Sequence, residues 1–535
     1  MLILSSSAHN VNKTLTVPLK CSLSSTYYKT FSCACASNSR FGDVNVEPLL
    51  EWAKTSGIKG LNVRPAMFAD GLRGMKAVAD IKAGDLILSV PRQSAVYISP
   101  RQRCPFPDFI KPEYWTIAPW FIKLALMILH QKRQTDAPLA GYIEELPEHV
   151  ELPFLWDDDV LQSLQYPHLI HQIKEQRAEW VRIHEAVTQR GLQPGQDAIT
   201  QQELYWAMSC VRSRTFSGPY VGSTLRARIN LALIVAALVL TNATLGLADL
   251  QQTLTAAAAV FIFNILYELI LSRSAKQYAM CPLIDLINHS STVESEVSYD
   301  YVSDSFIVTA SKDYKIGDQI FVDYGQNNDG LMQYYGFSES NNAKDVYMMS
   351  NLLKWLEEVL HTSQKGLDAL NDEGLLSALQ TVTVERSGFS SETLQAIRFL
   401  IATSPSPDPS STSVASTASS SNPAASSQRP SSFSAPGDAA LESRLAAVLV
   451  HACNRELGSL GTSIQEDTAY LEAGSKRRGS AASSSVAADR IAVAFRLEKK
   501  RVLISCLKNL GVDYEALTSE SRKSDRKAGT GRGFA

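Results

Sequence analysis

Residues 282–289 read Pro-Leu-Ile-Asp-Leu-Ile-Asn-His, and further along residues 323–325 read Asp-Tyr-Gly, followed by Tyr-Gly-Phe at 335–337. The first segment is an apolar run closed by a polar pair, Asn288-His289. The second puts an aromatic residue, Tyr324, at the end of the strand-like run Ile320-Phe-Val-Asp-Tyr324. Two upstream segments stand beside them: Asp70-Gly71-Leu72-Arg73-Gly74-Met75, and Ser213-Arg214-Thr215-Phe216. Taken singly, each has an ordinary explanation. Two glycines make a turn, a polar pair beside apolar residues is a satisfied, partly buried pair, and a tyrosine at a strand end packs.

Outward from these segments the chain divides into blocks. Residues 47–56 predict a short helix. Val78, Ile81, Leu86, Leu88 and Val90 alternate around Lys82-Ala-Gly-Asp85, which predicts strand, turn and strand. Residues 114–145 and 157–190 carry helical periodicity, and a helix over 200–212 starts after Thr200. Residues 278–325 are strand-rich again. Val297–Val302 and Phe306–Ala310 flank a turn at Ser303-Asp304, and Lys315-Ile-Gly-Asp318 repeats the earlier turn signature. Beyond 344 the pattern is helical, with helices at 439–457 and 488–510 and a helix start at Thr462–Asp467. The Ser/Pro/Ala tract 403–437 and the short stretch 475–488 read as linkers.

The 535 residues are 45% apolar and 20% charged, with a net charge of −3, so a strongly basic nucleic-acid binder is excluded. Eight cysteines in this length do not make a disulfide scaffold. The five beyond residue 40 (Cys104, Cys210, Cys281, Cys453, Cys506) lack metal-ligand spacing, so free thiols and no metal are expected. Residues 1–42 contain no Asp or Glu, and residues 1–40 are Ser-rich with Lys13, Lys20, Lys29 and Arg40. That is the composition of a transit peptide, here of chloroplast type, with a disordered N-terminal arm as the alternative.

In their joint order and spacing the four segments resemble SET-domain protein methyltransferases of the plant Rubisco large-subunit lysine methyltransferase type. The resemblance extends to the C-terminal helices, through Thr462–Asp467 and Phe495-Arg-Leu-Glu-Lys-Lys500. It implies an α+β chain: a SET-domain β-fold over 43–340 with knot-like C-terminal threading and a helical insertion at about 100–278. An all-α substrate-binding domain follows over 341–515, interrupted by a disordered linker at 403–437, and 516–535 is a disordered tail. It implies S-adenosylmethionine as cofactor, with Asp70, Gly71, Leu72, Gly74, Arg214, Asn288 and His289 contacting it. The glycines would let backbone approach the ligand, and Arg214 would hold its carboxylate. Here the spacing is Gly-Leu-Arg-Gly, one residue longer than the family's Gly-x-Gly. Tyr324 matches the catalytic tyrosine, and Asp285, Tyr335 and Phe337 match the acceptor channel. The implied reaction is methylation of a lysine on a chloroplast protein, with Rubisco large subunit or plastid aldolase suggested by the family. Two alternatives stay open: a catalytically idle scaffold that docks a plastid protein or membrane complex, and a protein-histidine methyltransferase.

One feature lies outside that resemblance. Residues 229–248 and 250–267 carry no charged side chain, and only Asp249 separates them. Each run is close to the ~20 residues that span a bilayer, with Arg226 and Arg228 before the first and Arg273 and Lys276 after the second. The apolar hairpin 229–271 therefore reads either as a membrane contact or as a buried or partner-binding helix pair.

Overall fold

The computed structural model describes residues 46–68, 72–99, 102–134, 137–218, 225–246, 248–266, 276–404, 430–476 and 484–512. The segment 1–40 read as a transit peptide, Asp70 and Gly71, most of the 403–437 tract and the 516–535 tail lie outside them.

The chain opens with α1 (Glu47–Thr55), β1 (Val63–Met67), β2 (Arg73–Ala77), β3 (Leu86–Pro91) and β4 (Val96–Ile98). The helical insertion follows: α2 (Pro112–Ile117), α3 (Trp120–Lys132), α4 (Ala140–Ile143), α5 (Asp158–Gln162), α6 (Pro167–Ala186) and α7 (Gln201–Arg214). It continues through β5 (Thr215–Gly218) into α8 (Leu225–Leu245) and α9 (Leu250–Leu266). The second strand block holds β6 (Gln277–Met280), β7 (Asn288–His289), β8 (Val297–Asp300), β9 (Ser305–Thr309) and β10 (Gln319–Val322). The C-terminal part runs α10 (Asn328–Tyr335), β11 (Val346–Met349), α11 (Leu352–Leu360), α12 (Gln364–Asp372), α13 (Ser377–Gln380), β12 (Val382–Glu385) and β13 (Gly388–Phe389). It closes with α14 (Ser391–Thr403), α15 (Ala439–Ser459), α16 (Ile464–Lys476) and α17 (Ser484–Asn509).

The strands form small sheets in the orders β1-β2-β10-β7, β3-β9-β8 and β4-β6-β5. β10 lies between β2 and β7. It runs antiparallel to β2 but parallel to β7, with Phe321 opposite Asn288 and Val322 opposite His289. This parallel pair brings a late segment beside the Asn-His pair. The repeated turns are built alike: Lys82 N–H and Lys315 N–H donate to Asp85 and Asp318 at 2.8 and 2.7 Å. Each lysine then reaches across to an aspartate beside the other turn, Lys82 to Asp313 at 2.9 Å and Lys315 to Asp80 at 2.7 Å.

One apolar core belongs to the strand blocks, with Val63, Met75, Ile87, Val90, Phe306, Val308 and Ile320 buried together. A larger core joins the insertion to the C-terminal helices through Trp115, Leu126, Trp180, Tyr166, Tyr347, Leu356, Phe399 and Phe495. The two helical parts are therefore packed as one body.

Four expectations need correcting. The 114–145 helix is broken, because Pro119 forces Ala118 into extended backbone before α3 starts. The 157–190 helix breaks at Gln165, whose φ is 50°, and restarts at Pro167. The strand expected before the Lys82 turn is present as β2, which ends at Ala77, and Ile81 adds an isolated bridge to Tyr314. The C-terminal domain is helical but not all-α, since β11, β12 and β13 form an antiparallel sheet with Tyr347, Met349, Val382 and Val384 turned inward. Of the 403–437 tract, residues 430–437 are ordered: Phe433 packs edge-on against Phe399, ring centroids 5.8 Å apart. The helix after Thr200 begins with a reciprocal cap, Thr200 accepting from Glu203 N–H and Glu203 accepting from Thr200 N–H.

Candidate functional site: an aromatic cluster around Asn288-His289

Three elements converge on the segment 285–289. The β1–β2 hairpin lies on one side, with Phe68 N–H donating to the Leu72 carbonyl at 2.8 Å. The end of α7 supplies Arg214, and the stretch from β10 through α10 supplies the aromatics.

Asn288 donates from Nδ2 to the Arg73 carbonyl at 3.1 Å, tying β7 to β2. Gly74 makes this possible. A Cβ there would lie 2.7 Å from both Asn288 Nδ2 and Gln319 Nε2. The close approach that Gly74 permits in this structure is thus by these two amides.

Asp285 is buried, and its Oδ2 accepts from the Tyr142 hydroxyl at 2.8 Å and from Arg214 Nη1 at 3.3 Å. Arg214 Nη1 also reaches the Asp285 carbonyl oxygen at 3.2 Å. Burial pushes the Asp285 carboxyl above the usual range, against the pull of Arg214 and Tyr142. Its other oxygen, Oδ1, is buried with no hydrogen-bond donor. An unmatched buried acceptor of this kind costs stability unless a donor arrives, and an N–H-bearing ligand group supplies one.

Tyr324 follows β10. Its backbone N–H donates to His289 Nδ1 at 3.0 Å, and its hydroxyl donates to the Ile287 carbonyl at 2.8 Å. Its ring sits between His289 and Tyr335, centroids 5.0 and 4.8 Å away. Gly336 ends α10 in the left-handed region (φ 73°) and turns the chain sharply, so that Tyr335 and Phe337 come to the same wall, centroids 6.2 Å apart. Burial pushes the Tyr335 hydroxyl up to about 12, keeping it protonated.

The structure therefore unites Asp285 with Arg214, Asn288 with Gly74, and His289 with Tyr324, Tyr335 and Phe337, while Leu72 closes the hairpin beside them. Sequence reasoning missed Tyr142 and Glu339. Tyr142 sits in the insertion with no local signal. Glu339, whose Oε2 lies 3.2 Å from His289 Nε2, is a carboxylate two residues past the Tyr-Gly-Phe motif, and that position was its only signal.

The SET domain family matches residues 72–325, and the Rubisco LSMT substrate-binding family matches residues 363–503. The chain carries a SET domain followed by a Rubisco LSMT substrate-binding domain. Solved structures with the same fold include the SET domain of LSMT bound to lysine and AdoHcy (TM-score 0.54, 19% identity, 87% of this chain and 91% of that one). Rubisco LSMT bound to AdoMet is a second, at TM-score 0.54 and 18% identity with the same coverage. Curated relatives include the actin-histidine N-methyltransferases of Canis lupus familiaris (22% identical over 305 residues) and Danio rerio (24% over 306). Each match covers 56% of this chain and 43% of the relative, so the SET chain spans less than half the length of those proteins.

Proposed function

We infer that this SET-domain chain transfers a methyl group from S-adenosylmethionine to a lysine of a protein substrate, and that it does so in the chloroplast. The placement of Tyr324 carries this reading. Its O–H is committed to the Ile287 carbonyl, so the phenolic oxygen presents lone pairs, not a proton, to a ligand. An oxygen fixed in that sense accepts an N–H of an incoming amine and orients its lone pair along the line of displacement.

The residues fit the cofactor in two respects. Asp285 Oδ1 is a buried acceptor awaiting a donor, and Arg214 stands at the same place as a cation for a carboxylate. Bound S-adenosylmethionine supplies the electrophilic methyl group. The chain's own residues do the rest. Tyr335 and Phe337 wall the approach and exclude water. A lysine entering between these rings loses hydration, which lowers its pKa from about 10.4 toward the neutral, nucleophilic form. Tyr324 then receives its N–H.

The lysine assignment is supported by the lysine-bound LSMT structure, whose fold extends over 87% of this chain. The histidine alternative is supported by the names of the curated relatives. Incubating the protein with labelled S-adenosylmethionine and stromal extract, then locating the label by mass spectrometry, separates lysine transfer, histidine transfer and an idle scaffold. Rubisco large subunit and plastid aldolase are the acceptors to examine first. The acid-free, Ser-rich residues 1–40 support the plastid address, which import of a fluorescent fusion tests.

The α8–α9 hairpin adds a proposed lipid contact. Its large apolar side chains are exposed around the helices, with Leu233, Leu238, Leu240 and Phe263 each more than 60% exposed. The tip satisfies its own polar groups: Asn242 Nδ2 donates to the Ala248 carbonyl at 3.0 Å, and Asp249 accepts from Gln251 N–H at 3.0 Å. A helix pair that is apolar on every side suits lipid better than water. Among the described residues no helix is long and apolar enough to cross a membrane, so the proposal is contact, tested by flotation with liposomes.

A further inference from the structure

The hydrogen bond from Tyr324 N–H to His289 Nδ1 fixes more than one distance. A backbone amide only donates, so Nδ1 must carry the lone pair, and the proton of the neutral ring is on Nε2. Nε2 lies 3.2 Å from Glu339 Oε2, with both side chains buried. Glu339 Oε1 in turn accepts from Ser291 N–H at 2.9 Å. Oε1 is thus hydrogen-bonded, while Oε2 and His289 Nε2, both buried and with no hydrogen bond of their own among the described residues, face each other at ion-pair distance.

Glu339 is itself held on both sides of its backbone. Asn328 Oδ1 accepts from Glu339 N–H at 2.9 Å, and Asn328 Nδ2 donates to the Glu339 carbonyl at 3.0 Å. Asn328 is fully buried and clamped in turn by Asp345, through its N–H at 3.1 Å and Nδ2 at 2.8 Å. Asp345 accepts from Lys499 Nζ at 2.6 Å, and the same ammonium lies 3.0 Å from Asp329. Lys499 belongs to α17, within the substrate-binding match that ends at residue 503. A continuous buried polar chain therefore runs from that domain to the backbone of Tyr324.

We propose that Glu339 is a positioning residue of the transfer site: it holds His289 as the Nε2–H tautomer so that Nδ1 pins Tyr324, and Asn328 and Asp345 anchor it to Lys499. The proposal deepens the methyltransferase reading, because the consequence of pinning Tyr324 is felt through that residue. A ring protonated on both nitrogens would set two donors against each other at Tyr324 N–H. The charged groups facing His289 are Glu339 and Asp323, whose Oδ1 lies 3.9 Å from Nδ1 and which is itself paired with Lys344.

The test uses the full chain with histidine labelled in 15N, the His289 resonances being assigned by their loss in His289→Asn. Wild type should show an unprotonated Nδ1 and a protonated Nε2. A proton on Nδ1 overturns the proposal without any variant. Glu339→Gln offers one acceptor oxygen to two donors, so the His289 nitrogens should shift toward mixed tautomers, with kcat lowered about 10- to 100-fold and cofactor Kd within about threefold. Glu339→Asp, which keeps both acceptors, should restore part of the wild-type spectrum. An unshifted His289 spectrum in Glu339→Gln overturns the positioning role. If instead the tautomer behaves as stated while Tyr324→Phe keeps full activity, the role assigned to Tyr324 fails and the positioning of His289 stands.

Discussion

Replacing Tyr324 by phenylalanine removes one oxygen and leaves the ring. The ring is held by His289 and Tyr335 at centroid distances of 5.0 and 4.8 Å, so phenylalanine should occupy the same place. The hydroxyl donates to the Ile287 carbonyl at 2.8 Å. Losing it should lower unfolding free energy by about 1 kcal/mol, the net worth of an ordinary hydrogen bond. The kinetic loss should be larger, because the oxygen is a preoriented polar group at the point of transfer. Groups of that kind contribute about 10²- to 10³-fold in kcat, or about 3–4 kcal/mol. The assay has three arms: urea denaturation, calorimetric binding of S-adenosylmethionine, and label transfer to stromal protein. A midpoint shifted by the small amount, Kd within about threefold and a rate down by two orders of magnitude or more is the expected pattern. A rate within about threefold of wild type would refute the reasoning, since the oxygen would then do nothing at the reacting atoms.

Three further outcomes follow from other parts of the chain. Gly74→Ala places a Cβ 2.7 Å from Asn288 Nδ2 and Gln319 Nε2, so it should break the Asn288–Arg73 bond, cost about 1–3 kcal/mol in chemical denaturation and weaken cofactor binding; an unchanged midpoint contradicts this. Asp467 receives both Arg496 and Lys500 at 2.7 and 2.6 Å, so Asp467→Asn leaves a buried ammonium and a partly buried guanidinium facing an amide and should cost about 3–5 kcal/mol at pH 7. Burial works against the Asp467 charge, but the two cations outweigh it and hold the carboxyl below its ordinary 3.8. The wild type's advantage should therefore be full above pH 3.8 and shrink as pH falls through the lower folded value, read from urea midpoints at several pH values. Changing Leu233, Leu238 and Phe263 together to glutamine should abolish flotation of the protein with anionic liposomes while leaving label transfer intact; wild type that stays at the bottom of the gradient removes the lipid contact.

Much of the site was legible because its residues lie in short local strings. Asp285, Asn288 and His289 occupy one loop and strand, and Tyr335 and Phe337 flank one helix-ending glycine. What joins them to the rest was not legible. Tyr142 reaches Asp285 across 143 positions, and Lys499 reaches Asp345 across 154. No periodicity records a contact of that separation. The same limit explains the fold. Val382-Thr-Val-Glu385 alternates over only four residues among helices, so its strand became visible only when Tyr347 and Met349 paired with it. Phe433 sits in a polar tract, and its partner Phe399 lies in the preceding helix. By contrast, the two Lys-x-Gly-Asp turns could be read at once, because each is closed by its own aspartate three residues on.

The most direct test of the central claim is transfer of label from S-adenosylmethionine to protein in a chloroplast stromal extract, compared between wild type and Tyr324→Phe. The account predicts a labelled band with wild type, nearly lost in the variant, whose label maps by mass spectrometry to the Nε of a lysine. Label on a histidine contradicts the acceptor assignment, and absence of any label that depends on Tyr324 contradicts the enzyme.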